Sequence, residues 1–221
     1  MSNSLKFDHV AIPLPPYITL KRFASFFKKL GFRNEWYRAR VGNQETAMET
    51  FVMTRDGVKL ALMAGIDGKN SAGERILSQV SEYFRRFGAS PQHIALRCDD
   101  IEKEVERWLN AGVRFLTEDD KEQPQILRDR DSDGEVFQCF TYPLWGSMFF
   151  ELKQIARKGQ KLTHFEEFRE SNVEDLWAAL DRALKEGWLF NTNLWGETLN
   201  DRMPKPPPRM HFPKSVRTYI P

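Results

Sequence analysis

Apolar and polar positions along the first two thirds of the chain follow one pattern twice. Residues 6–12 alternate as a half-buried strand does, and "YITLKRFASFFKKLGF" follows with helical spacing. Leu20, Phe23, Phe26, Phe27 and Leu30 share one stripe of that helix, and Gly31 is its expected stop. Strands are then predicted over 34–40, 47–54 and 57–64, the last two joined by an Asp56-Gly57 turn. The pattern restarts at "PQHIALRC". Its helix is "DIEKEVERWLNAGV", with Asp99 or Asp100 as N-cap and Gly112 as stop. Strands near 113–117, 125–130, 134–141 and 147–155 follow, with a turn at Asp133-Gly134. Between the units, "GERILSQVSEYFRRFGAS" spaces Ile76, Val80, Tyr83 and Phe84 for one helix face.

The last third changes character. "NVEDLWAALDRALKEGW" predicts an amphipathic helix starting near Asn172, with Val173, Leu176, Trp177, Leu180 and Leu184 buried. Beyond Gly187, "LNDRMPKPPPRMHFPKSVRTYIP" holds too much proline for regular structure. An extended arm is expected there, lying over the body or reaching a partner subunit.

Each unit therefore reads strand–helix–strands. Two such units can pair into a curved sheet around a shared cleft, an α+β architecture. The modules are placed at about 5–66 and 90–156, with a linking helix at about 73–87. Together they make a body over 1–160, and 161–221 supplies a C-terminal lid helix and arm. A length of 221 residues, 41% of them hydrophobic, is enough for a sizeable core. A net charge of +2, spread among both signs, argues against a nucleic-acid partner. No apolar run approaches the ~20 residues of a membrane span, and the N-terminus lacks a signal-peptide core. Cys98 and Cys139 both lie in strand-like runs and read as reduced core thiols. A cytoplasmic location is the expectation; a homodimer is left open.

Candidate chemistry sits on the repeat. His9 and His93 occupy matching places on the first strand of each unit, in "HVAI" and "HIAL". Glu151 interrupts an otherwise apolar run, "MFFELK". A buried carboxylate without a partner costs several kcal/mol, so a metal is a natural counterpart. Two imidazoles and one carboxylate on one face of a metal leave positions vacant for substrate and O2, the arrangement of non-haem Fe(II) oxygenases. Glu151's counterpart in the first unit falls within "KLALMA", which offers no fourth ligand. The alternative is two core histidines satisfied by hydrogen bonds. His164 and His211, in polar or proline-rich surroundings, read as surface residues.

From Lys6 to Leu184 the chain resembles the catalytic, C-terminal half of the 4-hydroxyphenylpyruvate dioxygenase and hydroxymandelate synthase family, within the vicinal oxygen chelate superfamily. The resemblance rests on "FDHVAIPL", "SQVSEYFRRFGASPQHIALRCDDI", "VFQCFTYPLWGSMFFELKQIARKG" and "FRESNVEDLWAAL". It implies a barrel of paired βαβββ modules that holds Fe(II) through His9, His93 and Glu151. It also implies that Gln79, Gln92 and Gln138 are active-site glutamines, and that Thr50, Met63, Phe140, Phe168 and Val173 line the substrate pocket. Met63 stands where the family has asparagine, Val173 where it has a large aromatic, and Thr50 where it has serine. The family's N-terminal domain has no counterpart here, so a one-barrel version is expected. The activity implied is oxidation of a small 2-oxo acid with O2. A metal-independent binding protein and a redox-silent metal-dependent isomerase or lyase are the alternatives.

Overall fold

The computed structural model describes residues 4–16, 20–117, 123–130, 134–157, 170–187, 189–195 and 198. Phe168, His164, His211 and the proline-rich arm fall outside them. The elements in chain order are β1 (Lys6–Leu14), α1 (Leu20–Lys29), β2 (Arg33–Gly42), β3 (Ala47–Arg55), β4 (Val58–Ile66), β5 (Gly68–Lys69), β6 (Arg75–Ile76), α2 (Gln79–Phe87), β7 (His93–Arg97), α3 (Ile101–Asn110), β8 (Leu127–Arg130), β9 (Gly134–Phe140), β10 (Phe149–Arg157) and α4 (Glu170–Lys185).

Eight strands form one mixed, curled sheet in the order β2-β3-β4-β1-β7-β10-β9-β8. The duplication is explicit in the pairing. β1 runs parallel to β4, β7 runs parallel to β10, and β1 and β7 meet antiparallel at the centre. The sheet leaves β2 and β8 as its two edges, and α4 packs against both of them. The architecture is thus a half-barrel with four helices, of α+β class, and α4 bridges its open side.

Strand alternation divides the core. Outward-facing Leu14, Leu62, Phe51 and Met53 bury Leu20 and Ala24 of α1. On the same outer side of the second unit, Cys98, Cys139 and Leu152 bury Ile101 and Val105 of α3. Each large side chain removed from water in this way contributes about 1.5–3 kcal/mol. The inner face packs on α2 and α4. One inner cluster joins Ala11, Trp36, Val52, Ala61, Met63, Val80 and Trp177; the other joins Phe140, Phe149, Leu176, Leu180 and Phe190.

Three expectations are corrected. Phe26 and Leu30 are exposed (53% and 45%), because α1 docks through Leu20 and Ala24 and leaves the far side of the stripe in solvent. The linking helix starts later than its apolar spacing suggests. Ser78 caps α2 by accepting from Ser81 N–H, and its own N–H donates to Asp67, which also takes Arg75. Those bonds hold residues 75–76 extended as β6 against β5. The strand expected near 113–117 is reduced to single bridges, Phe115 to Thr141 and Thr117 to Pro124. Among the described residues no helix is long and apolar enough to cross a membrane.

Candidate metal centre

β1 does not alternate cleanly where it matters. Its register against β7 shifts between Phe7 and His9, a β-bulge that sends Asp8 and His9 to the same buried side. Opposite, His93 opens β7, and Glu151 on β10 lies level with Ala95, two residues further along.

These elements bring His9, His93 and Glu151 together. The two Nε2 atoms are 3.3 Å apart, and each is 3.5 Å from Oε2 of Glu151. All three are buried, at 2%, 4% and 1% exposure. Asp8 Oδ1 accepts from His9 Nδ1 at 2.8 Å, which leaves the Nε2 lone pair aimed at the other two ligands. Burial would raise the Asp8 carboxyl, but its bond to His9 and the charges of Lys153 and Lys59 hold it well below the usual carboxylate range. Burial, reinforced by His9 and Lys153, pushes His93 far below the ordinary imidazole value, so it is neutral, as a ligand must be. One ligand atom from each of the two imidazoles and the carboxylate lies within 4.8 Å of the others, a spacing at which a single ion can be reached by all three. The donor set therefore fits a divalent metal on grounds of the structure alone.

The duplication also explains the count of ligands. Glu151 pairs with Ala95, two residues past His93; Ala61 pairs with Ala11, two residues past His9. Alanine therefore occupies the position that would carry a fourth side chain.

Of the remaining expected site residues, Gln138 is closest to the triad, donating Nε2 to Glu151 Oε1 at 2.6 Å. Phe140 lies level with Glu151 on β9 and meets Phe149 edge-on at 6.2 Å. Gln92 donates to Gln79 at 3.0 Å, both side chains fully enclosed. Thr50 and Met63 are register partners, Met63 lying two residues past Ala61 on β4, packed on Trp177 and, at its margin, Val173. Met63 thus belongs to the part of the interior that faces α4. Phe168 lies outside the described residues.

Sequence pattern missed several neighbours. Phe149 stacks on the His93 ring at 5.1 Å, and its place two residues before Glu151 was a usable signal. Trp36 and Trp177 enclose the apolar side of the interior. Asp8 was hidden, since strict alternation puts it on the wrong face. Among the described residues, Thr50 Oγ1, Gln138 Oε1, His93 Nδ1 and Trp177 Nε1 are buried without a hydrogen-bond partner. A surface groove lined by residues such as Asn43, Glu174, Asp181 and Lys185 lies between the β2–β3 turn and α4 and includes no triad residue.

Comparison with known proteins agrees with this construction. Residues 8–128 match the glyoxalase/bleomycin resistance protein/dioxygenase superfamily, and the chain belongs to that family. A 4-hydroxyphenylpyruvate dioxygenase of Legionella pneumophila is 33% identical over 129 residues, covering 48% of this chain and 35% of that protein. Hemolysin VllY of Vibrio vulnificus is 27% identical over 192 residues, or 76% of this chain and 50% of that one. The chain thus matches half or less of the length of these relatives. A variant 4-hydroxymandelate synthase from Streptomyces coelicolor superposes with a TM-score of 0.66 at 24% identity, covering 81% of this chain and 54% of the other, and so shares the fold.

Proposed function

We propose that the chain is a non-haem Fe(II) dioxygenase of the 4-hydroxyphenylpyruvate dioxygenase-like type, oxidising a small 2-oxo acid with O2. The observation that carries this reading is the buried convergence of His9, His93 and Glu151 with alanine at the fourth position. The names of the relatives support the same class of chemistry.

His9 and His93 through Nε2, and Glu151 through Oε2, would hold the metal. Bound iron would supply O2 activation and a chelation point for the 2-oxo acid. The chain's own residues do the rest. Gln138 occupies one oxygen of Glu151 and leaves the other for the metal. Its carbonyl, the Thr50 hydroxyl and the Trp177 indole N–H retain unspent hydrogen-bonding capacity for polar atoms of the substrate. Trp36, Val52, Met63, Trp177 and Val173 provide an apolar wall for its side chain. The Gln79–Gln92 pair stiffens the segment that leads into His93. Closure by α2 and α4 keeps bulk water from the reacting centre, so α4 is the lid that must move to admit substrate.

Paired substitutions test the assignment. His93→Ala and Glu151→Gln are expected to lose stoichiometric Fe(II) and all substrate-dependent O2 uptake while remaining folded. Ligand binding that needs no metal and ignores Glu151→Gln would favour a binding protein instead.

A further inference from the structure

Behind His9 lies a group of buried charges that the triad does not account for. The Asp8 and Lys153 side chains are both 0% exposed, with Nζ 3.7 Å from Asp8 Oδ1. Arg97 donates through Nε to Asp8 Oδ2 at 3.0 Å and also through Nη2. Lys59, on the same side of β4, pairs with Glu35 at 2.9 Å. Three strands contribute: Asp8 from the bulge of β1, Arg97 from β7 and Lys153 from β10, the last two being register partners.

We propose that Asp8, fixed by Lys153 and Arg97, is a positioning residue that orients His9 and sets the affinity of the triad for metal. This rests on the reading of the triad as a metal site. A buried ion pair contributes little net stability, because desolvation offsets most of the attraction. What this one does structurally is specific: its shared oxygen, Oδ1, accepts the His9 Nδ1 proton. That bond selects the tautomer whose Nε2 faces Glu151 and His93, and the negative charge makes Nε2 a stronger donor. Lys153 and Arg97 prevent the carboxylate from swinging away or drawing a proton. His93 is held differently. Its Nδ1 has no carboxylate behind it among the described residues, and its ring is positioned by stacking on Phe149. One ligand is oriented by charge and the other by packing.

The test is a Co(II) titration of the metal-free full chain, followed by visible absorption, on the native protein, Asp8→Asn and Asp8→Asn/Lys153→Met. The single variant removes the carboxylate that faces Lys153 and Arg97 and is expected to lose thermal stability as well as affinity. The double variant removes the two fully buried charges and leaves Arg97, whose side chain is 35% exposed and can be solvated, so its metal-free melting temperature is expected to recover. Its Co(II) affinity is still expected to be about 10–100-fold below native, the usual range for such outer partners. A merely structural pair would give recovery of both. Native-like affinity in the double variant, with the native protein binding one equivalent, overturns this inference alone. Absence of Co(II) binding by the native protein overturns the metal reading and this inference with it.

Discussion

Ala61 and Glu151 occupy equivalent positions in the two halves of the sheet, each level with the alanine two residues past a histidine of the site. One half supplies a carboxylate and the other a methyl group. On the proposed reading, that asymmetry at the centre of an otherwise duplicated fold would leave coordination positions vacant. Ala61→Glu should therefore bind metal through four side chains. Its metal-free form, with an unpaired buried carboxylate, should melt lower than native. Metal should raise its melting temperature by more than it raises the native value, while O2 uptake should fall about tenfold or more. Calorimetry with and without metal, beside an oxygen electrode, checks both halves.

Gly65 carries the approach of α2 to β4. A Cβ there would stand 2.7 Å from the backbone nitrogen of Ser81 and closer still to the hydroxyls of Ser78 and Ser81. The backbone cannot yield without moving the start of α2, where Gln79 sits. Gly65→Ala is expected to destabilise by about 1–3 kcal/mol, the usual cost of overpacking. Chemical denaturation measures it; no change would mean that α2 can be displaced freely.

Asp67 ties the same junction by accepting from Ser78 N–H and Arg75. Burial would raise its carboxyl, but bonds from Ser81, Ser78 and Arg75 hold it below the ordinary 3.8. A depressed folded-state value contributes stability above the unfolded value and loses it as pH falls through the folded one. Asp67→Asn should accordingly melt below native at pH 7, and the gap should narrow below about pH 4. A gap that widened on acidification would contradict this assignment of the bonds.

Cys98 and Cys139 are both pushed up to about 12, in each case chiefly by burial, with Glu104, Asp100 and Asp99 adding to the effect at Cys98. A thiol with that value is about 0.01% ionised at pH 8. Both should resist alkylation in the folded protein over hours and react promptly in denaturant. Mass spectrometry of iodoacetamide-treated protein reads this directly; rapid labelling of either would show that its cluster opens easily.

Much of this was legible in the chain itself, and the exceptions have physical causes. The repeat was readable because each unit buries one strand face and one helix stripe, so hydrophobicity records the period. His9, His93 and Glu151 stood out because each is a polar residue in an apolar run. Asp8 did not, because a bulge breaks the period of two and no local residue announces it. The exposure of Phe26 and Leu30 could not be read from helical spacing, which gives a stripe but not its width. The late start of α2 depends on Asp67, eleven residues before Ser78 in the chain, and such a bond leaves no periodic trace.

The most direct test of the central claim is metal content after anaerobic Fe(II) reconstitution, coupled to O2 uptake with a panel of aryl and alkyl 2-oxo acids. Close to one iron per chain is expected, with uptake that depends on both iron and one class of acid. Stoichiometric metal with no O2 consumption across the panel would contradict the oxygenase, and failure to retain any metal would contradict the triad itself.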